Sequence, residues 1–462
     1  MSKNNSVLEN SPPGARALVI GAGISGLSAA KALAEFFPSV IVIDRDRLIS
    51  DAKVRPGTPQ ATQTHALLGG AVKGLEELFP GLAKDLLRVG AVPVNPGIET
   101  LMEFPGLDSA PRSKWDWAVY SLTRPLIELI MRRRLEESGN VTLHEESRAT
   151  KIAGASDGSF ITGVEIETAD ESHDTVAADL IVDASQHGLL TLSFLRATGM
   201  PVPVETNIGV DIRYGTGQFE LRPGATGEFK TIITAAKAPQ SVRAGYLVPV
   251  ENNRYQLLLV GRGNDIPPSD LDGFLEFARN LSTPTIYNAI QGAKPVSTIA
   301  RFGFPESKWR HFGRLESFPR GLLPCGDAIC SLNPVYGQGM TVAVQEANLL
   351  RRLMSTSATT SSALGTLTQA FLGEVEALIE QPWTISAIAD FIFPQTRGER
   401  PPDLEQRLKS QFALGRIASR DASVYRLLTE VRHLLKPMSV LREPELTRRV
   451  TAELAALQPT HA

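Results

Sequence analysis

The chain has 462 residues, of which 42% are hydrophobic and 21% charged, with a formal net charge of −3. That composition can bury a sizeable core and excludes a disordered type. The slight acidity argues against nucleic acid as the main partner.

Cys325 and Cys330 are the only cysteines. A pair this sparse implies no disulfide scaffold and fits a reducing, cytoplasmic compartment. Met1–Arg16 has no apolar signal core. No transmembrane helix is expected. The apolar stretch Ala17–Phe37 is broken by three glycines, two serines, a lysine and a glutamate. Arg132-Arg133-Arg134 reads as a solvated helix face.

In chain order, Met1–Gly14 is polar and reads as a loose tail. Ala17–Ile20 is a short buried strand, Gly21–Gly26 a tight turn, Leu27–Phe37 a helix, and Val40–Ile43 a second strand ending in Asp44. Both strands are apolar throughout, as a parallel sheet covered on both faces requires. Arg55–Gln60 is a loop by its Pro and Gly content. Ala71–Phe79 and Leu82–Val89 read as helices. Gly97–Tyr120 is irregular and aromatic, and suits a small sheet. Thr123–Glu137 is a helix that Thr123 can cap, with Pro125 in its first turn.

Val141–Leu143, Ala149–Ala153 and Phe160–Thr168 read as strands, the last two as a meander. Leu180–Val182 is another buried strand, ending in Asp183-Ala184-Ser185. From Ile208 to Phe304 the pattern alternates, with strands at Gly209–Tyr214, Thr231–Thr234, Gly245–Val250 and Tyr255–Val260. Helical segments Asp270–Asn280 and Pro284–Gln291 follow. The apolar run Gly321–Pro324 leads into Gly326-Asp327, a loop with Pro334, Gly337 and Gly339, and a long helix. Beyond that the chain is almost all helical, with Thr366–Ile379 and several helices from Asp403 to Leu457, separated by prolines such as Pro382, Pro394 and Pro401-Pro402.

Gly21-x-Gly23-x-x-Gly26 stands between a strand and a helix, where its mechanism needs it. Gly21 permits the turn, Gly23 lets the backbone approach a pyrophosphate, and Gly26 allows close helix–strand packing. The helix N-terminus offers free N–H groups to phosphates. Asp44 ends the second strand, where a carboxylate can accept from a ribose. This unit alone does not separate NAD from FAD. It occurs once, since Gly215-x-Gly217 and Gly261-x-Gly263 lack the strand–turn–helix context. A resident FAD with a transient NAD(P)H needs only one. Asp327 can hold a flavin's polyol chain, and Gly337 and Gly339 open a helix start to a ligand.

Three motifs in order, Gly21-x-Gly23-x-x-Gly26, Asp183-Ala184-Ser185 and Gly326-Asp327-Ala328 with Pro334…Gly337-Gln338-Gly339, resemble the flavin fingerprints of group A, single-component FAD-dependent monooxygenases of the aromatic-hydroxylase type. The resemblance spans about Ala15–Leu353. Asn333–Met340 and the Arg55–Gln60…His65 loop look nearest to bacterial natural-product epoxidases and tailoring oxygenases. The middle motif departs from the family, with Gln186-His187 where a Gly-Arg pair is usual.

The resemblance implies an α/β fold: a Rossmann-like FAD-binding lobe, an inserted mixed β-sheet substrate lobe and a helical C-terminal region. The expected division is 15–200 for the first part of the FAD lobe, with a small-sheet excursion near 91–122. The substrate lobe is 201–310, the second part of the FAD lobe 311–355, and the helical region 356–462. Gly21, Gly23, Ser25 and Gly26 would line the pyrophosphate, and Asp44, with Arg45 nearby, would bind the adenosine ribose. Arg55 and Arg124 would contact phosphate and ribityl, with Asp183 in the middle motif. Asp327 would hold the ribityl chain. Pro334, Gly337, Gly339 and Met340 would border the ring.

The implied cycle reduces FAD with NAD(P)H, forms a flavin C4a-(hydro)peroxide with O2, and hydroxylates or epoxidises a small hydrophobic natural-product intermediate. Baeyer–Villiger insertion on the same scaffold and a flavin-bearing cyclase without net redox chemistry are the alternatives; a non-enzymatic binding module fits the intact glycine motifs poorly. No catalytic side chain is singled out, because the cofactor carries the hard chemistry. Arg213, Tyr214 and Tyr246 are pocket candidates that also suit a sheet face, and Trp383 suits a pocket wall or a core anchor. The seven histidines show no metal-ligand spacing.

Overall fold

The computed structural model describes residues 16–356 and 361–456. The expected tail Met1–Gly14 and the last residue of the expected C-terminal helices, Leu457, lie outside them. The architecture is mixed α/β, with a helical C-terminal region.

A parallel sheet has the strand order Leu322–Pro324, Leu180–Asp183, Arg16–Ile20, Ser39–Ile43, Val141–His144. The first three strands are buried at every position, which is why each reads as an unbroken apolar run. The register aligns their ends. Ile20 pairs with Asp183 and with Ile43, and Asp183 pairs with Pro324. Three loops far apart in sequence therefore leave the sheet at one edge, the carboxyl edge where ligands of such sheets bind.

The larger mixed sheet runs Cys330–Ser331, Ala300–Arg310, Glu205–Glu220, Arg254–Arg262, Ala244–Val250, Thr231–Thr234, Thr100–Glu103. One face joins the main core through Ile212, Tyr214, Leu258 and Val260. The other carries Phe219, Ile232, Leu247 and Leu257 against Phe274, Phe277 and Ile286 of two helices, Leu271–Arg279 and Thr285–Ile290. Thr100–Glu103 pairs in parallel with Thr231–Thr234, so part of the irregular aromatic segment crosses over to this sheet.

Two local expectations are corrected and one strand is added. Pro382 does not separate two helices. Ser361–Asp390 runs through it as one helix of 30 residues, and Ser386 Oγ donates to the Pro382 carbonyl at 2.9 Å. Thr123 precedes the helix Arg124–Glu136 without capping it. Its N–H and hydroxyl both go to Glu251, a partner 128 residues away that outcompetes the local cap. Ala300–Arg310 is a strand of 11 residues that mixed polar and charged positions conceal.

Gly26 shows how tightly the first unit is packed. A Cβ there would lie 1.8 Å from the Gly21 carbonyl oxygen. Gly26→Ala should destabilise the protein by about 3 kcal/mol, read as a lower midpoint in urea unfolding. An unchanged midpoint would show that the turn can open.

Candidate functional site

The three loops at the sheet edge touch one another. Gly21 has φ +103°, and a Cβ on it would lie 3.0 Å from the Ala184 carbonyl oxygen. Gly326 has φ +61°, and a Cβ there would lie 2.8 Å from Ser25 Oγ. A Cβ on Gly188, just past the middle motif, would meet that of Ala328 at 3.1 Å. The glycine turn, the Asp183 loop and the Gly326-Asp327 loop thus form one floor.

The helix Ile24–Leu33 opens at Gly23 with no side-chain cap and no acidic residue in its first turn. Its first N–H groups have no intrahelical partners. A Cβ on Gly23 would meet only Arg124 Nη2, at 3.5 Å. Ser25 Oγ is buried without a hydrogen-bond partner. The helix Gly339–Thr356 likewise has no acid in its first turn, and a Cβ on Gly339 would meet nothing within 4 Å. Neither helix start thus carries an acid in its first turn.

Asp44 is oriented from below. Its Oδ2 accepts the Ala22 N–H at 2.6 Å, and its Oδ1 accepts from Asp46 N–H at 2.9 Å and Arg55 Nη1 at 3.1 Å. Arg45 stands exposed beside it. Arg55 also bonds Asp46 at 3.2 Å, Glu128 at 3.0 Å and the Ala22 carbonyl at 3.1 Å. Burial pushes Glu128 up, but Arg124 and Arg55 outweigh it and hold its pKa low. Arg124 Nε donates to Glu128 Oε1 at 2.9 Å and keeps 14% of its side chain exposed. His65 Nδ1 lies 2.8 Å from the Gln63 carbonyl; burial, then Arg124, lower its pKa to about 4.

Asp183 is fully buried. Its carboxylate accepts from Ser185 N–H at 3.1 Å, Thr191 N–H at 3.1 Å, Thr191 Oγ1 at 2.6 Å, and the Ser185 hydroxyl. It fixes the loop from inside, while His187 stands exposed. Asp327 is open to water yet surrounded by protein, as a group on the floor of a cleft is. Burial raises its pKa to about 6 against the opposing pull of Arg124 and Arg310.

The loop Asn333–Met340, the ring-side loop of the sequence expectation, is held by a buried acid that the sequence did not announce. Asp390, 1% exposed, accepts from Arg262 at 2.7 Å, Asn333 Nδ2 at 2.8 Å and Tyr336 OH at 3.0 Å. Pro334 and Gly339 are exposed, Gly337 and Met340 half-buried, and Gly337 has φ +70°. Tyr214 is buried and Tyr246 half-buried, whereas Arg213 is exposed. Trp383 packs on Trp309 with ring centroids 5.6 Å apart, in the core cluster. Cys325 and Cys330 are buried and unpaired. Among the described residues no group of three or more His, Cys, Asp or Glu side chains can hold a metal ion, and no helix is long and apolar enough to cross a membrane.

No protein-family model matches the chain. Protein Rv3254 of Mycobacterium tuberculosis (strain ATCC 25618 / H37Rv) is 31% identical over 406 residues, 84% of this chain and 83% of its own. The chain belongs to the family of Protein Rv3254. Among solved structures, a flavoprotein/dehydrogenase from Cytophaga hutchinsonii matches with TM-score 0.64 and 16% identity, over 96% of this chain and 98% of that one. P. aeruginosa PqsL in complex with 2-aminobenzoylacetate matches with TM-score 0.63 and 15% identity, over 82% of this chain and 97% of that one. The fold is shared with these solved structures, which also include a probable FAD-dependent monooxygenase from Pseudomonas aeruginosa, at TM-score 0.60 and 15% identity.

Glu346 was also missed, and it carries a pH signature. Fully buried, it accepts the Gly326 N–H at 2.6 Å, and burial raises its pKa from 4.5 to about 8. The folded state keeps a proton that the unfolded chain releases above about pH 4.5. This group's share of stability therefore falls as pH rises from about 4.5 to 8 and levels off above. Glu346→Gln keeps the acceptor and should remove a loss of about 3–4 kcal/mol between pH 5 and 8, measured by urea unfolding across that range. An unaltered pH profile would show that Glu346 ionises freely in the fold.

Proposed function

We propose that this protein is an FAD-dependent monooxygenase that uses NAD(P)H and O2 to hydroxylate or epoxidise a small hydrophobic substrate. The observation that carries this reading is the contact of three motif loops, from three aligned parallel strands, at the uncapped N-terminus of the helix Ile24–Leu33.

The residues present fit the cofactor. The partnerless hydroxyl of Ser25 and the open backbone at Gly23 make an anion cradle at a helix start, so Gly21, Gly23, Ser25 and Gly26 would hold the pyrophosphate. Asp44, with Arg45 beside it, would take the adenosine ribose. Arg124 would reach phosphate or ribityl with its exposed edge, and Asp327 would accept from the ribityl hydroxyls. Arg55 and Asp183 serve by holding these groups in place, since both terminal guanidinium nitrogens of Arg55 and both carboxylate oxygens of Asp183 are engaged within the protein. Pro334, Gly337, Gly339 and Met340 would border the ring. The bare first turn of Gly339–Thr356 would stabilise negative charge at the ring's pyrimidine edge.

When bound, FAD supplies two-electron transfer and oxygen activation. The chain's part is placement, charge stabilisation and exclusion of water. The substrate would lie between the ring-side loop and the sheet face bearing Tyr214 and Tyr246. The two buried, unpaired thiols support a reducing, cytoplasmic setting.

The purified protein should show the two visible bands of oxidised flavin and lose them on adding NAD(P)H with substrate under limited O2. Asp327→Ala should weaken FAD binding at least about tenfold, measured by titration after removing the cofactor. No flavin absorbance even after FAD is added would overturn the reading. Full FAD affinity in Asp327→Ala would move the ribityl contact elsewhere.

A further inference from the structure

We infer that Glu346 carries a proton into the FAD complex: the cofactor is held with this buried carboxyl neutral, and alkali that ionises it loosens the cofactor. This rests on reading the glycine-turn floor as the FAD site and adds a pH-dependent control of cofactor retention to it.

Glu346 lies on the helix Gly339–Thr356, which packs against the helix Ile24–Leu33 and the Gly326-Asp327 loop. The side chain is fully buried. Its Oε2 accepts the Gly326 N–H at 2.6 Å, and its Oε1 has no hydrogen-bond partner among the described residues. Other buried acids are answered: Asp44 and Glu128 by Arg55, Asp390 by Arg262, and Asp183 by the N–H and hydroxyl groups of Ser185 and Thr191. An ionised carboxylate buried with one N–H and no counter-charge is strongly disfavoured, so the group keeps its proton. Burial, opposed by the Gly326 N–H and aided by Asp327, raises its pKa to about 8.

The groups around Glu346 leave that proton to it. Burial pushes the thiols of Cys325 and Cys330 up, so both stay neutral. Asp327, at about 6, is ionised in the alkaline range, and Arg310 beside it pairs with Glu205. The packed helices bring no counter-charge. Lys31 is in the last turn of Ile24–Leu33, away from Ser25. Lys73, Glu76 and Glu77 of Gly69–Leu78 are exposed. Glu374 and Glu376 of Ser361–Asp390 pair with Arg352 and Arg314, and Arg351 pairs with Glu35.

Gly326 stands between this acid and the cradle proposed for the pyrophosphate. Its N–H goes to Glu346, and a Cβ on it would lie 2.8 Å from Ser25 Oγ, the buried hydroxyl left without a partner. A doubly negative pyrophosphate bound there faces Glu346 across one residue. Like charges that close, shielded from water, repel strongly, so FAD disfavours the ionised acid. Reciprocally, ionising Glu346 weakens FAD by the same factor. Below its titration the acid is already neutral and FAD binding moves no proton. Above it, binding takes a proton up, and affinity falls as pH rises.

The test titrates FAD calorimetrically into the full chain freed of cofactor, in buffers of different ionisation enthalpy. At about pH 9 the wild type should take up about 0.5–0.9 proton per FAD and bind about five- to tenfold more weakly than at about pH 7. Glu346→Gln, which keeps an acceptor for the Gly326 N–H, should take up at least about 0.4 proton fewer at about pH 9 and lose most of the affinity drop. Equal uptake in the two proteins, or wild-type affinity that does not change with pH, overturns the inference. If Glu346→Gln does not fold, infrared difference spectra of the wild type decide. At about pH 9 loading FAD should add the C=O band of a neutral carboxylic acid, and its absence overturns the inference. A wild type that binds FAD at neither pH sinks the cofactor reading and this inference with it, whereas tight, pH-independent binding sinks the inference alone.

Discussion

One buried guanidinium holds the glycine-turn end of the parallel sheet together. Arg55, 4% exposed, is within 3.2 Å of Asp44, Asp46 and Glu128. Carboxylates out of water cost several kcal/mol each unless charge and hydrogen bonds answer them. Arg55 answers all three and adds a bond to the Ala22 carbonyl. It thereby ties the end of the second strand, the glycine turn and the helix Arg124–Glu136 into one body. Asp46 returns the constraint by accepting the Gly57 N–H at 2.8 Å, which shapes the loop that carries Arg55. Asp44 and Arg124 reach the cleft in fixed orientations because these partners leave them little freedom.

A buried acid does the same for the loop Asn333–Met340. Asp390 closes the long helix Ser361–Asp390 and binds Arg262 of the large sheet together with Asn333 and Tyr336 of the ring-side loop. Asn333 uses its other amide atom to accept the Val335 N–H at 3.1 Å. The C-terminal region therefore sets the loop that would flank the flavin and the sheet that would face it. Each half of the cleft is organised by a carboxylate or guanidinium that is itself out of reach of any ligand.

The parts of the site that were legible in the sequence are those whose physics is local. A glycine turn between an apolar strand and a helix, and an acid at the next strand's end, are fixed by neighbours in the chain. Glu128 had a local signal too, since it stands four residues after Arg124 on one helix face. Asp390 had none, because its partners lie 54 to 128 residues away. Thr123 looked like a cap and was claimed by Glu251 for the same reason. The helix through Pro382 ran against a reliable breaker rule, and its packed face, with Leu372, Val375, Ile379 and Trp383 in the core, outweighed the lost hydrogen bond.

The arrangement separates charges that build the cleft from charges left for a ligand, and Asp44 sits at the boundary. A carboxylate has about four lone-pair sites. Ala22, Asp46 and Arg55 take three of those on Asp44, leaving about one for a ribose hydroxyl. Asp44 is still 9% exposed, whereas Asp183, fully buried with both oxygens engaged, has no such opening. Asp327 lies at the other extreme, exposed, and among the described residues its carboxylate accepts no hydrogen bond, while its main-chain carbonyl accepts from Arg310. Residual acceptor capacity thus rises from Asp183 through Asp44 to Asp327. That order separates three acids which, as letters in three motifs, look equivalent.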